Sequence, residues 1–201
     1  MNKSIKILAV AFIVICFLVI VYTLNHDREM KVLASMIRNG DAVGISKMVK
    51  AHPKLVNANF DNGTKLKPLS LAASFGLEEV CYILIKAGAD VNAKNVVGET
   101  ALFFAFGGDH PNPNVFEALL QNGASVRVAD QNGNTPLHFA ASYCKNTNIF
   151  ALLLQYGADP TVTNRFGLTP LNIVTNFDIP TNSEIAKILS ESVVKTAIGT
   201  K

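Results

Sequence analysis

Four histidines and three cysteines are the side chains of this 201-residue chain best suited to nucleophilic or metal chemistry, and their spacing decides whether they can act together. His26, His52, His110 and His138 show no helical metal-ligand interval, and neither an H-E-x-x-H run nor a paired-cysteine pattern occurs. Cys144 follows His138 by six residues. At about 100° per residue, that separation turns the two side chains roughly 240° apart on a short helix, so they do not form a nucleophile with its base. Cys81 lies in the apolar stretch EEVCYILIKAG, the usual setting of an inert buried thiol. His52 precedes Pro53 at a helix end, where a cation suits the helix dipole. Asn62-Gly63-Thr64 is a formal glycosylation acceptor, with meaning only in a eukaryotic lumen. These spacings predict no enzyme, no cofactor, no metal and no small-molecule substrate.

The elements that could position side chains fall into two parts. Only 16% of the residues are charged while 49% are hydrophobic, which places some of the apolar content outside a globular core. Eighteen bases against 15 acids leave no large footprint for nucleic acid. The excess sits at the front, where Ile7 to Leu24 runs 18 residues without a charge. As a helix that run spans roughly 27 Å, the thickness of a bilayer's hydrocarbon core. No polar stripe interrupts it, as a buried core helix would require, and no small-residue cleavage pattern follows it in VYTLNHDREMK. The expectation is an uncleaved signal-anchor over 7–24 after a short tail (1–6). The protein would then be single-pass in the inner (plasma) membrane, N-inside, with the remainder extracytoplasmic, periplasmic in a bacterium.

Beyond Asn25 the chain repeats itself. Gly88-Ala89-Asp90, Gly123-Ala124-Ser125 and Gly157-Ala158-Asp159 recur at intervals of 35 and 34, and Gly98-Glu99-Thr100, Gly133-Asn134-Thr135 and Gly167-Leu168-Thr169 keep the same beat. Each unit has a glycine at a tip, a Thr-Pro or its equivalent opening a small-residue helix (LSLAAS, LHFAAS), and a second helix with a bulky apolar stripe ending at glycine.

NGNTPLHFAA followed by ALLLQYGADP, and KPLSLAASFGLEEVCYILIKAGADVNAKN before it, resemble the ankyrin repeat family and its G-x-T-P-L-H-x-A-A and L-L-x-x-G-A-D patterns. The resemblance implies an all-α repeat solenoid: about five helix-turn-helix units with short β-hairpin tips, over 30–192, preceded by the transmembrane helix. The units fall at about 30–57, 59–93, 94–129, 130–163 and 164–192, leaving a tail at 193–201. It implies that His138 has a structural role, bonding within and between repeats. It also implies a protein partner, held by the tips and the exposed side of the first helices. Cys81 and Cys144, two units apart at roughly 10 Å per unit, lie beyond the limit of about 7 Å for a disulfide and are expected to be free thiols.

The chain departs from its own pattern in two ways. The turns between paired helices lengthen through GGDHPNPN, YCKNTN and NFDIPTNSE, where Pro111, Pro113 and Pro180 oppose helix. Residues 26–67 carry eight bases against four acids, whereas 68–201 carry eight against eleven. A basic end beside a bilayer suits anionic headgroups, and simple solubility explains it equally well. Seven residues past the Pro-equivalent position of four successive units stand Phe75, Gly108, Tyr143 and Phe177. By family geometry this predicts an aromatic stripe with a gap at Gly108, flanked at the tips by Val96, Val97, Asn132, Arg165 and Phe166. Open aromatics are common interface anchors, though these rings could instead fold back into the core. The functional expectation is a membrane-tethered binding module whose protein partner comes to the membrane surface, with neutralisation of a secreted toxin as a subclass drawn from family association. The alternative is an accessory or structural subunit of a membrane complex.

Overall fold

The computed structural model describes residue 23 and residues 25–60, 63–107, 111–176 and 182–199. Helices come in pairs: α1 (25–38) with α2 (Ala42–Ala51), α3 (Pro68–Ser74) with α4 (Glu78–Lys86), α5 (Ala101–Phe104) with α6 (Pro113–Gln121), α7 (Pro136–Tyr143) with α8 (Thr147–Gln155), and α9 (Pro170–Asn176) with α10 (Asn182–Gly199). A 3-10 helix, Pro53–Asn57, follows α2. Helices α3, α5, α7 and α9 touch in succession as an inner row, and α2, α4, α6, α8 and α10 do so as an outer row. One continuous core runs from Met30 to Leu189.

Local chemistry sets these elements. Pro68, Pro136 and Pro170 open inner helices, where the missing N–H would have had no intrahelical partner. Ala72, Ala73, Ala101, Ala105 and Ala140 are buried, so inner helices approach closely. In α4, Glu78 and Glu79 in the first turn and Lys86 in the last complement the helix dipole. The outer helices end alike. The N–H groups of Ala89, Ala124 and Ala158 reach back to the Leu84, Leu119 and Leu153 carbonyls, all at 3.0 Å, across the left-handed Gly88, Gly123 and Gly157. Those three leucines are fully buried, so each cap also fixes a core side chain.

Adjacent units are then stitched at both ends of the outer turn. Asn57 donates through Nδ2 to the Gly88 carbonyl and accepts the Asp90 N–H, both at 2.8 Å. Asn92, 35 residues on, repeats this with the Gly123 carbonyl (2.9 Å) and the Ser125 N–H (2.8 Å). The next equivalent, Arg127, keeps one long bond, Nε to the Gly157 carbonyl at 3.4 Å. At the one after that, Thr161 bonds inward to Asp159. At the tips, Val96 N–H donates to Thr64, Gln131 N–H to Val97 and Arg165 N–H to Asn132 carbonyls at 2.8–3.1 Å. Gly133 is required there twice over: its φ is +77°, and a Cβ would stand 3.1 Å from the Arg165 nitrogen that makes this bond.

Two expectations are corrected. The β-hairpin tips are turns, with no strand among the described residues, because one backbone bond per tip in each direction is too few for a ladder. Pro113 does not lie in a helix-breaking loop; it opens α6, with Asn112 as the cap accepting the Asn114 N–H. Among the described residues no helix is long and apolar enough to cross a membrane, and the 18-residue α10 carries Glu184, Lys187, Glu191 and Lys195. The predicted span over 7–24 lies, apart from Thr23, outside the described residues.

Among the described residues one buried side-chain polar group is left over. In α7, Thr135 Oγ1 lies 2.9 Å from His138 Nδ1, and in α9 Thr169 Oγ1 donates to Asn172 Oδ1 at 2.9 Å. The corresponding residue beside Thr100 is Phe103, which offers no hydrogen bond, and the buried Thr100 Oγ1 has no partner. An unsatisfied buried hydroxyl costs about 1–3 kcal/mol. Thr100→Val is therefore expected to keep or raise the melting temperature, whereas Thr135→Val should lower it by several degrees. Thermal unfolding of the two variants side by side is the measurement.

Candidate protein-binding face

The tips are held by one motif used three times. Asn95 Oδ1 accepts the N–H groups of Val97 and Glu99, Asp130 Oδ1 those of Asn132 and Asn134, and Asn164 Oδ1 those of Phe166 and Leu168, all at 2.8–3.0 Å. An aspartate or asparagine bonding its own backbone two and four residues on fixes the turn without strand pairing. Consequently every backbone N–H of the three tips is bonded, and most of the side chains at their apices are open. Val96 is 51% and Phe166 72% exposed, Asn132 and Arg165 are exposed, and Val97 is half-buried.

On the inner helices, Tyr143 ends α7 at 69% exposure and leans one side on Phe139, centroids 5.6 Å apart. Phe75 caps α3 and is 49% exposed. Neither ring is folded into the core. Phe177 and the gap residue Gly108 lie outside the described residues.

Sequence reasoning missed the aromatics between these points. Phe103 of α5 meets Phe139 of α7 edge to face at 4.9 Å, and Phe106 packs on Phe116 of α6 at 4.7 Å. Phe104 and Phe139 occupy the same place in successive units, 35 residues apart, and remain partly exposed. Their signal in the sequence is the third position past the Pro-equivalent Ala101 and Pro136, not the seventh.

The groups suited to chemistry are engaged or desolvated. His138 Nδ1 faces the Thr135 N–H at 3.2 Å, and Nε2 lies 3.0 Å from the Leu168 carbonyl of the next unit. Burial holds the His138 imidazole below the usual histidine range, with the Leu168 carbonyl opposing. A neutral ring that accepts at Nδ1 and donates at Nε2 satisfies both bonds and fastens α7 to the following tip. Cys81 and Cys144 are free and buried. Burial, with Glu78 nearby, pushes the Cys81 thiol up to about 12, and burial also raises Cys144, so neither is a thiolate nucleophile at neutral pH. Among the described residues no group of three or more His, Cys, Asp or Glu could hold a metal ion. His52 instead pairs with Glu29 at 3.3 Å, linking the end of α2 to α1.

Stacked helix pairs joined tip to tip define a repeat solenoid, the class of protein whose extended inner face binds other macromolecules. Residues 69–164 match the family model described as Ankyrin repeats (3 copies), so this stretch of the chain is similar to ankyrin repeat arrays. It is similar to a probable E3 ubiquitin-protein ligase of Oryza sativa subsp. japonica, 37% identical over 110 residues, 54% of this chain and 21% of the relative. An E3 ubiquitin-protein ligase of Arabidopsis thaliana matches to the same extent, and Rabankyrin-5 of Mus musculus is 36% identical over 80 residues, 39% of this chain and 7% of the relative. The match spans about a fifth of the length of the two ligases. These relatives are named as ubiquitin ligases, not as extracytoplasmic anchored proteins. Together with the helices described above, they overturn the predicted inner-membrane, N-inside localisation.

Because the folded state depresses the His138 pKa, the unfolded chain takes up this proton first as pH falls. The stability tied to the neutral ring is present at neutral pH and is lost progressively below about pH 6.5. The melting temperature is expected to drop between pH 7.5 and 5, and His138→Asn, which places at this site the residue that serves at Asn172, should flatten that drop. Melting curves across the range test it.

Proposed function

We propose that the array captures a protein partner on the inner face formed by α3, α5 and α7 and on the tips beside it. The observation that supports this reading is the row of large apolar side chains left open on these elements: Phe75, Tyr143, Val96 and Phe166, each about half exposed or more. Rigid aromatics on a scaffold stitched at both ends lose little entropy on binding, the condition under which a few side chains dominate an interface. Val97, Asn132 and Arg165 extend the same surface along the tips. Phe177 belongs to it by its place in the repeat alone. The reading is non-enzymatic and includes no membrane tether. Neutralisation of a secreted toxin has no residue here that supports it, and the reading stays with capture of a protein.

With the partner in hand, Phe75→Ala and Tyr143→Ala are each expected to weaken binding by roughly 30-fold, in line with anchors worth about 2 kcal/mol, with melting temperatures nearly unchanged. Unchanged affinity in both variants would place the binding surface elsewhere. Calorimetric titration alongside thermal melts gives both numbers.

A further inference from the structure

Between three successive inner helices lies a depression of ≈ 270 Å³, lined by aromatic rings of α5 and α7, Ser74 of α3 and Glu99 of the tip before α5. Phe104, Phe139 and Tyr143 supply its accessible rings; Phe103 braces Phe139 from below, edge to face. One side of it is fixed by a backbone approach. A Cβ on Gly107 would stand 3.0 Å from both the Ser74 and the Phe104 carbonyl oxygens, so α3 and the end of α5 meet there without an intervening side chain.

The charge of the lining is one-sided. Glu99 is the only ionisable acid or base among these residues apart from the Tyr143 phenol, and among the described residues no lysine, arginine or histidine lines the depression. Asn95 Nδ2 donates to Glu99 Oε2 at 2.8 Å, which orients the carboxylate. Among the described residues its other oxygen accepts no hydrogen bond from protein. An apolar anchor filling the space would cover this carboxylate without pairing it, at a cost of several kcal/mol. An anion would meet both the carboxylate and the negative faces of the rings. A cation meets favourable terms from each: ring quadrupoles attract an ammonium or guanidinium group within about 6 Å, and the carboxylate completes the pair.

We propose that this depression receives a cationic side chain, lysine or arginine, of the protein partner, its stem against Phe104, Phe139 and Tyr143 and its charge at Glu99. The proposal rests on reading the inner face as the binding surface and adds the chemistry of the anchor.

The test is a magnetic resonance titration of the full chain, labelled with carbon-13 in phenylalanine and tyrosine, with N-acetyl-lysine methylamide, N-acetyl-arginine methylamide and the uncharged N-acetyl-norleucine methylamide. Both cations are expected to shift the Phe104, Phe139 and Tyr143 signals, with dissociation constants about five-fold below that of norleucine. Glu99→Gln should bring that ratio to about one. Tyr143→Ala, at an exposed side chain that the fold does not depend on, should weaken the cations several-fold. The amide spectrum of each variant reports that it remains folded. Norleucine binding as well as lysine, or cations leaving these rings unshifted, overturns the proposal. Since no partner is used, either failure is distinct from a failure of the inner face as binding surface, which the alanine pair tests.

Discussion

Each helix pair here leaves an apolar stripe that only the next pair can cover, and that mutual dependence governs the rest of the structure. Leu84, Leu119 and Leu153 hold the same place in successive outer helices, all fully buried, each fixed by an identical cap. A stack whose elements touch only their neighbours gains stability through its interfaces, so those interfaces must be at one height along the repeat. Stitches on the outer turn (Asn57 to Gly88, Asn92 to Gly123) and at the tips (Val97 to Gln131, Asn132 to Arg165) impose that height. The turn between paired helices carries a stitch of its own at one junction, where Asn112 Nδ2 donates to the Gly76 carbonyl at 3.0 Å and Asn114 Nδ2 to Glu78 Oε2 at 2.9 Å. Its length nevertheless varies from unit to unit, before Pro113 and around Cys144 to Asn146.

The same constraint couples packing to the open face. At the third helical position the units use Ser70, Phe103, His138 and Asn172. His138 spends both ring nitrogens on stitching, one to Thr135 and one to Leu168. Phe103 gives up that role, orphaning the Thr100 hydroxyl, and instead carries the ring of Phe139. A polar cap is exchanged for an aromatic brace directly beneath the face where Phe104 and Tyr143 stand. The exchange costs about 1–3 kcal/mol at Thr100 and gains roughly 0.5–1.5 kcal/mol in ring contact, so stability alone does not account for it.

What could be read in the sequence is what is local. The 35 and 34 beat, proline at helix starts and glycine at helix ends need only neighbouring residues to act, and the helix pairs follow them. The stitching side chains are different: Asn57 and Asn92 look like ordinary turn residues until a carbonyl 31 residues away is placed beside them. The unpartnered Thr100 is visible only when the hydrogen bonds of its cap are traced. Of the stripe at the seventh position, Phe75 and Tyr143 lie open, while the aromatic content between them comes from Phe103 to Phe106, whose roles depend on α6 and α7 packing back on α5. Hydropathy at 7–24 suggested a compartment, but compartment is a property of the whole protein that a single apolar run does not fix.

The outer-turn stitches thin out along the chain, from two short bonds at Asn57 and at Asn92 to one of 3.4 Å at Arg127 and an inward-turned Thr161. On its outer side the array is thus held more firmly at its first two junctions than at its last two, whereas the last junction is held at the tips, by His138 to Leu168 at 3.0 Å, Asn164 to Asn134 at 2.8 Å and Arg165 to Asn132 at 2.9 Å. A load that spreads the outer turns therefore meets less hydrogen-bond resistance beyond Arg127 than before it.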